Sequence, residues 1–159
     1  MAYTSPMSRI GLVALSLWLF SALAASAQVR VTVSAQQYTA QEQIQAKIEN
    51  SSARPITICI EIGQSSPTGA GTEPTPSPFS VEQMDEGKWH TLLLGPDVGS
   101  LRHAEDLGAG KSLVFPFRLG ARGKMRLRLD YWLGSRPDLN CTVPPQDVKQ
   151  VTSTAFRVE

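Results

Sequence analysis

Apolar and polar residues alternate with a period of two along most of the chain beyond residue 28. Val29, Val31, Val33 and Ala35 alternate with Arg30, Thr32 and Ser34. Ile56, Ile58, Ile60 and Ile62 alternate with Thr57, Cys59 and Glu61. Leu113, Phe115, Phe117 and Leu119 alternate with Val114, Pro116 and Arg118, and Met125, Leu127, Leu129, Tyr131 and Leu133 with Lys124, Arg126, Arg128, Asp130 and Trp132. An extended strand with this spacing turns one face to a core and the other to water. One dry and one wet face per strand is the pattern of antiparallel sheets packed face to face. Two more strands, 79–84 and 88–94, are expected around the turn Asp85-Glu86-Gly87, and a last one over 148–158. The predicted fold is all-β, a two-sheet antiparallel sandwich of about seven to eight strands. Pro116 cannot donate a ladder hydrogen bond, so its strand is expected at an edge or a bulge.

The segment 41–50 carries two patterns. Thr39-Ala40-Gln41-Glu42 matches a helix capping box, and Ile44 and Ile48 are a helical turn apart. Ile44, Ala46 and Ile48 also alternate with Gln45, Lys47 and Glu49, and the run stops at the turn signal Asn50-Ser51-Ser52. A strand fits the surrounding pattern and is the expectation. Three long connections are expected, at 65–78, 95–110 and 134–146; the first is rich in Ser, Thr, Gly and Pro, and the third holds Cys141.

The first 27 residues differ from the rest. Arg9 precedes an apolar run from Ile10 to Leu23, and Ala25-Ser26-Ala27 matches a small-x-small cleavage site. This stretch is expected to be a secretory signal peptide, leaving residues 28–159 as one β-sandwich domain. An uncleaved anchor is the rival, but Ser16 and Ser21 interrupt the run and no charged stop follows it. No second stretch is long enough to span a bilayer, so no stable membrane span is expected after cleavage. The expected location is periplasmic or extracellular.

Export changes the meaning of Cys59 and Cys141, the only cysteines. In an oxidising compartment two cysteines of one domain usually pair, and this bridge would close more than half the chain. A metal site is the rival, without CxxC spacing to support it. The full chain has 15 basic and 14 acidic side chains. Arg9 leaves with the leader, so the mature chain balances at zero. Nothing in that balance points to nucleic acid as a partner.

Several short runs resemble a known family. Val31-Thr32-Val33 with Tyr38 and Glu42 resembles an opening strand and its Tyr-x-x-Gly-Glu turn, with Gln41 in place of the glycine. Ile44 to Asn50 followed by Arg54-Pro55-Ile56 resembles the next two strands and their Asn-ended turn. Leu107-Gly108-Ala109-Gly110-Lys111-Ser112 with Phe115 and Phe117, Gly123-Lys124-Met125-Arg126-Leu127, and Ser153 to Val158 resemble later strands, with Met125 where an aromatic is usual. In these runs the chain is similar to immunoglobulin-like β-sandwich domains of bacterial exported proteins, and to proteinase-inhibitor-like sandwich domains. The resemblance implies an immunoglobulin-like sandwich and brings no catalytic residues.

Candidate chemistry is sparse. His90 and His103 have no nucleophile elbow or other catalytic signature around them. Asp97, His103, Glu105 and Asp106 match no known cation loop. No catalysis and no cofactor are expected. Arg126 and Arg128, with Lys124, share the wet face of one predicted strand, and Arg118 is close in sequence. They form either a basic stripe for an anionic partner or a polar face neutralised by Glu49, Glu61 and Glu82. Trp132 shares that face and is either an exposed binding aromatic or covered by the Cys141 loop. Trp89 is expected in the core at the end of the sandwich. The sequons at Asn50 and Asn140 are expected to be unmodified. The function expected is a non-catalytic interaction module for another envelope or extracellular protein, binding through loops or a sheet edge. The alternatives are a proteinase inhibitor acting through 65–78 or 95–110, and a glycan-binding module using Trp132 and the arginines.

Overall fold

The computed structural model describes residues 28–62, 76–92, 101–143 and 145–159. The expected leader lies outside them, as do most of the 65–78 connection and residues 95–100 of the next. Twelve strands follow in order: β1 (Val29–Val33), β2 (Gln37–Tyr38), β3 (Gln43–Asn50), β4 (Ile56–Ile62), β5 (Pro76–Ser77), β6 (Phe79–Asp85), β7 (Lys88–Thr91), β8 (Leu101–Leu107), β9 (Ser112–Arg118), β10 (Gly123–Leu133), β11 (Lys149–Thr152) and β12 (Phe156–Val158). They form a three-stranded sheet, β1-β3-β9, and a nine-stranded sheet built around β10. The fold is an all-β sandwich, as the alternation predicts.

β10 is the spine of the larger sheet. Along one edge it pairs with β12 and then β11, and along the other with β6 and then β4. β8 extends the sheet beyond β4, and β7 extends it beyond β6. All pairings are antiparallel except β2 with β12, which is parallel. Met125, Leu127 and Leu129 face inward and are fully buried, against Ile44, Ala46 and Ile48 of β3 and Ile56 and Ile58 of β4 in one core. The inward phase of each strand follows from its two-residue period.

The ambiguous segment is a strand: β3 pairs with β1 on one side and β9 on the other. One of the two capping-box hydrogen bonds, from the Thr39 amide to the Glu42 carboxylate, forms without a helix. Glu42 Oε2 accepts from the Thr39 amide at 2.8 Å and the Thr39 hydroxyl at 3.1 Å, and the Glu42 amide donates to the Thr39 carbonyl. Gln41 holds φ +69° there, a conformation that suits the glycine of the resembled motif. Pro116 lies in β9, which among the described residues pairs only with β3 and is an edge. Glu86 and Gly87 turn the β6–β7 hairpin, both with positive φ (46° and 80°).

Three expectations are corrected. Residues 101–107, expected within a loop, form β8. The last strand is two, β11 and β12, separated at Ser153. The Ser153 hydroxyl accepts from the Leu127 amide at 3.0 Å and donates to the Thr154 carbonyl at 2.8 Å, so a side chain satisfies the backbone where the ladder breaks. Residues 76–77, expected at the end of the first long connection, form β5, and Pro78 separates them from β6, where pairing passes from β4 to β10.

Asn50 ties the two sheets together and is 1% exposed. Its side-chain amide donates to the carbonyls of Arg54 (2.9 Å), Leu107 (3.0 Å) and Gly108 (3.2 Å). Its oxygen accepts from the Ser52 amide and hydroxyl. A residue so enclosed cannot carry a glycan. Asn50→Ala removes these bonds while leaving buried carbonyls behind. It should cost about 2–3 kcal/mol of stability, read as a lowered urea midpoint with unchanged m-value.

Candidate functional site

The outer face of the larger sheet collects most of the residues singled out in the sequence. Arg126, Arg128 and Trp132 project from it along β10, with Asp130 between them, because alternate residues share a face. Arg118 is not with them: it is exposed on β9, in the other sheet.

Glu82 sits opposite Arg126 in the β6–β10 register and is 6% exposed. Its carboxylate accepts from Arg126 Nε at 2.6 Å and from Arg128 Nη1 at 3.0 Å. Arg128 also lies 3.7 Å from Asp130. The Arg126 guanidinium stacks 4.3 Å from the centre of the Trp89 ring. Trp89 is therefore half-buried on the outer face rather than in the core, because its β6 partner in the hairpin register is the outward-facing Met84. One carboxylate joins both arginines, so this stretch is a neutralised polar network. Glu61 pairs instead with Arg102, and Glu49 with Lys47.

Trp132 is 2% exposed. It lies in register with Thr57 of β4, beside the strand bridged to the connection after β10. That connection is fastened at two points. Cys59 and Cys141 form a disulfide, with Cα atoms 5.7 Å apart and a sequence separation of 82. A bridge closing a loop of that length restricts the unfolded chain by about 4–5 kcal/mol in the chain-entropy account. The second fastening is polar. Ser135 and the fully buried Thr57 donate hydroxyl hydrogen bonds to the Asp106 carboxylate. The Arg136 amide donates to Thr57 Oγ1 at 2.9 Å and approaches Asp106 Oδ1 at 3.3 Å. The Arg136 guanidinium pairs with Asp147 farther along, with one bond of 3.1 Å. The Trp132 indole nitrogen has no hydrogen-bond partner among the described residues.

Burial works to raise the Asp106 carboxyl. The hydrogen bonds from Ser135, Thr57 and the Arg136 amide outweigh it and hold the group below its ordinary value of 3.8. Asp147 is also lowered, chiefly by its hydrogen bond from Arg136, and the Arg136 guanidinium is correspondingly raised. Burial alone raises the Tyr131 phenol.

The smaller sheet carries an open groove on its outer side, lined by Arg30, Lys47, Glu49, Ser51, Lys111 and Ser112. Lys47 is bonded to Glu49 across it at 2.5 Å, and that bond holds the Glu49 carboxyl below its ordinary range. Among the described residues no group of three His, Cys, Asp or Glu side chains is placed to hold a metal ion. Asp97 lies outside them. His103 and Glu105 approach only to 4.0 Å, with both side chains about half exposed. Both lie on β8, and that strand is the feature the sequence reading missed. It pairs with β4 alone, so its other edge is open among the described residues. Leu101, at its start, is 72% exposed.

No family model matches the chain, and no curated protein matches it. Among solved structures it has a distant likeness to a protein described by the words "AvmM Catalyzes Macrocyclization in Alchivemycin A Biosynthesis", with a TM-score of 0.32 and 11% identity. The match covers 82% of this chain and 87% of that one. A likeness of that size carries no functional argument. Among the described residues no helix is long and apolar enough to cross a membrane. The disulfide suits an oxidising compartment rather than a reducing one.

Two outcomes follow from these networks. Glu82→Ala leaves two half-buried guanidinium groups without their shared carboxylate and should cost about 3 kcal/mol. The triple change Glu82→Leu, Arg126→Met, Arg128→Met should return to within about 1 kcal/mol of the parent, because removing a whole buried ionic group is nearly neutral. Denaturant melts of the two variants test this. Asp106 sets an acid limb. Its folded value lies below its unfolded value, so it contributes stability above the unfolded carboxylate range, near pH 4. That contribution falls away as pH drops through the lowered folded value. The stability gap between the parent and Asp106→Asn should therefore be widest at pH 6 and close progressively below about pH 4. A gap that stays constant down to pH 2 would contradict the assignment.

Proposed function

We propose that this chain is an exported immunoglobulin-like interaction module without catalytic machinery, which accepts an extended polypeptide segment at the open edge of β8. The single observation behind it is that edge. β8 is seven residues long, contains no proline, and among the described residues is paired on one side only. An unpaired strand offers a row of amide and carbonyl groups that another strand can complete. β9 is as long, but Pro116 interrupts its row of donors.

Other features are consistent with the immunoglobulin-like part. In strand order, β1-β3-β9 corresponds to the A, B and E strands of such domains, and β12-β10-β4 to G, F and C. The disulfide differs from the usual one: it joins a strand to a connection on the outer face instead of bridging the sheets. It favours export, as does the apolar leader in the sequence.

The glycan-binding alternative depends on an exposed Trp132, which is enclosed, and on arginines engaged by Glu82. The inhibitor alternative depends on loops largely outside the described residues. A photo-crosslinking residue in place of Leu101 should trap one discrete polypeptide adduct in the native compartment. The same residue in place of Val114, on the three-stranded sheet, should trap none. Equal labelling from both positions would remove the edge from consideration.

A further inference from the structure

We infer that the segment completing β8 is β8 of a second copy of this chain. The inference rests on the edge reading above and names its occupant. Its warrant is the order of side chains along the strand, Leu101-Arg102-His103-Ala104-Glu105-Asp106-Leu107. Two such strands laid antiparallel about Ala104 place Arg102 opposite Asp106 of the partner subunit, and His103 opposite Glu105 of the partner subunit. Leu101 faces Leu107 of the partner subunit, and the two alanines meet on the two-fold axis. Every pair is complementary, and each except the central one occurs twice, as an isologous interface requires.

The register is selective. Sliding the strands so that position 105 meets its own copy sets carboxylate against carboxylate, and His103 against Leu107. Sliding the other way sets His103 against its copy and Leu101 against Glu105. Directly opposed like charges destabilise a strand pair, so the Ala104-centred register is preferred. The same charges discourage a generic apolar strand from the edge.

The faces of β8 fit this pairing. Ala104 is in register with Cys59, Asp106 with Thr57 and Arg102 with Glu61, so these residues lie on the outer face. Arg102 already bonds Glu61 at 3.1 Å. Asp106 of the partner subunit would lie beside that pair. Leu101, His103, Glu105 and Leu107 share the inner face with Ile56, Ile58 and Ile60. Leu107 is buried, while Leu101 is exposed. Setting Leu101 beside Leu107 of the partner subunit would cover the most exposed apolar residue of the strand with the margin of the second core. A seven-residue edge buries less than the roughly 1,200 Å² of a standard interface, so the expected species is a reversible, concentration-dependent dimer.

The test uses the purified protein with its Cys59–Cys141 bridge intact. Sedimentation equilibrium should show a monomer–dimer equilibrium, and Arg102→Glu should weaken it at least tenfold by facing Asp106 with a like charge. Thermal melting of Arg102→Glu close to that of the parent separates lost pairing from lost folding. Two variants that each add one cysteine, His103→Cys and Glu105→Cys, should form a mixed disulfide with each other in preference to either with itself. Directly opposed positions in an antiparallel pair lie about 4.5–5.5 Å apart, within bridging distance. Both positions are on the opposite face from Cys59, which limits exchange with the native bridge. A chain that stays monomeric to millimolar concentration overturns the self-pairing, as does a dimer indifferent to Arg102→Glu. If a monomeric chain still yields the Leu101 adduct with a different protein, the edge reading survives and only its occupant is wrong. If it yields no adduct, both fail.

Discussion

The two sheets are unequal, and much of the molecule follows from that constraint. Three strands face nine. The inward residues of β3 and β9 cover the isoleucines of β4 and the apolar row of β10, where burial is complete. Toward β8 that cover ends. Ile58 and Ile60 are buried on β4, yet their register partners Glu105 and His103, on the same face of the neighbouring strand, are about half exposed. A strand in that position is dry only at Leu107, so hydrophobic burial alone does not hold it. It is held by its ladder to β4, by Leu107 at the core margin, and by Asn50, whose amide reaches the Leu107 carbonyl.

The outer face of the larger sheet has the converse difficulty, an apolar residue with no second sheet to cover it. Trp132 and Thr57 are buried on the side that alternation assigns to water. The disulfide and the Asp106 hydrogen bonds hold the 134–148 connection at this point of the sheet. The two fastenings differ in kind. The disulfide acts chiefly by limiting the unfolded chain, whereas the Asp106 cluster fixes native geometry and loosens with acid. Farther along β10, Glu82 engages both arginines and Trp89 stacks on Arg126.

Those differences mark how far the sequence could be read. Where a strand has one dry face, the two-residue period identifies both its existence and its phase, as in β1, β3, β4, β9 and β10. Alternation also settled the segment 41–50: the Thr39–Glu42 hydrogen bonds are local and close a turn as readily as they start a helix, so they could not decide between strand and helix. β8 was illegible because its inner face carries His103 and Glu105, and a polar residue at a core-phase position reads as loop. The placement of Arg118 failed for a related reason: proximity along the chain does not say which sheet a strand joins. Arg126, Arg128 and Trp132 did come out on one face, because they share a single strand. The role of Glu82 as their common partner depends on the β6–β10 register, which no local pattern encodes.

An uncovered, charged edge strand is usually explained as protection against association. Charges scattered along β8 would serve that purpose in any order. Their actual order is complementary to its own reversal about Ala104, with Arg102 matched to Asp106 and His103 to Glu105. Protection alone does not require that symmetry, since a run of like charges would repel a second copy more effectively. A sequence that blocks most strands while accommodating its own copy combines exclusion and recognition in one set of side chains, and specificity commonly needs both. The unequal sheets make this possible. A fully covered β8 would need an apolar inner face, and an apolar strand pairs with little regard to register or partner.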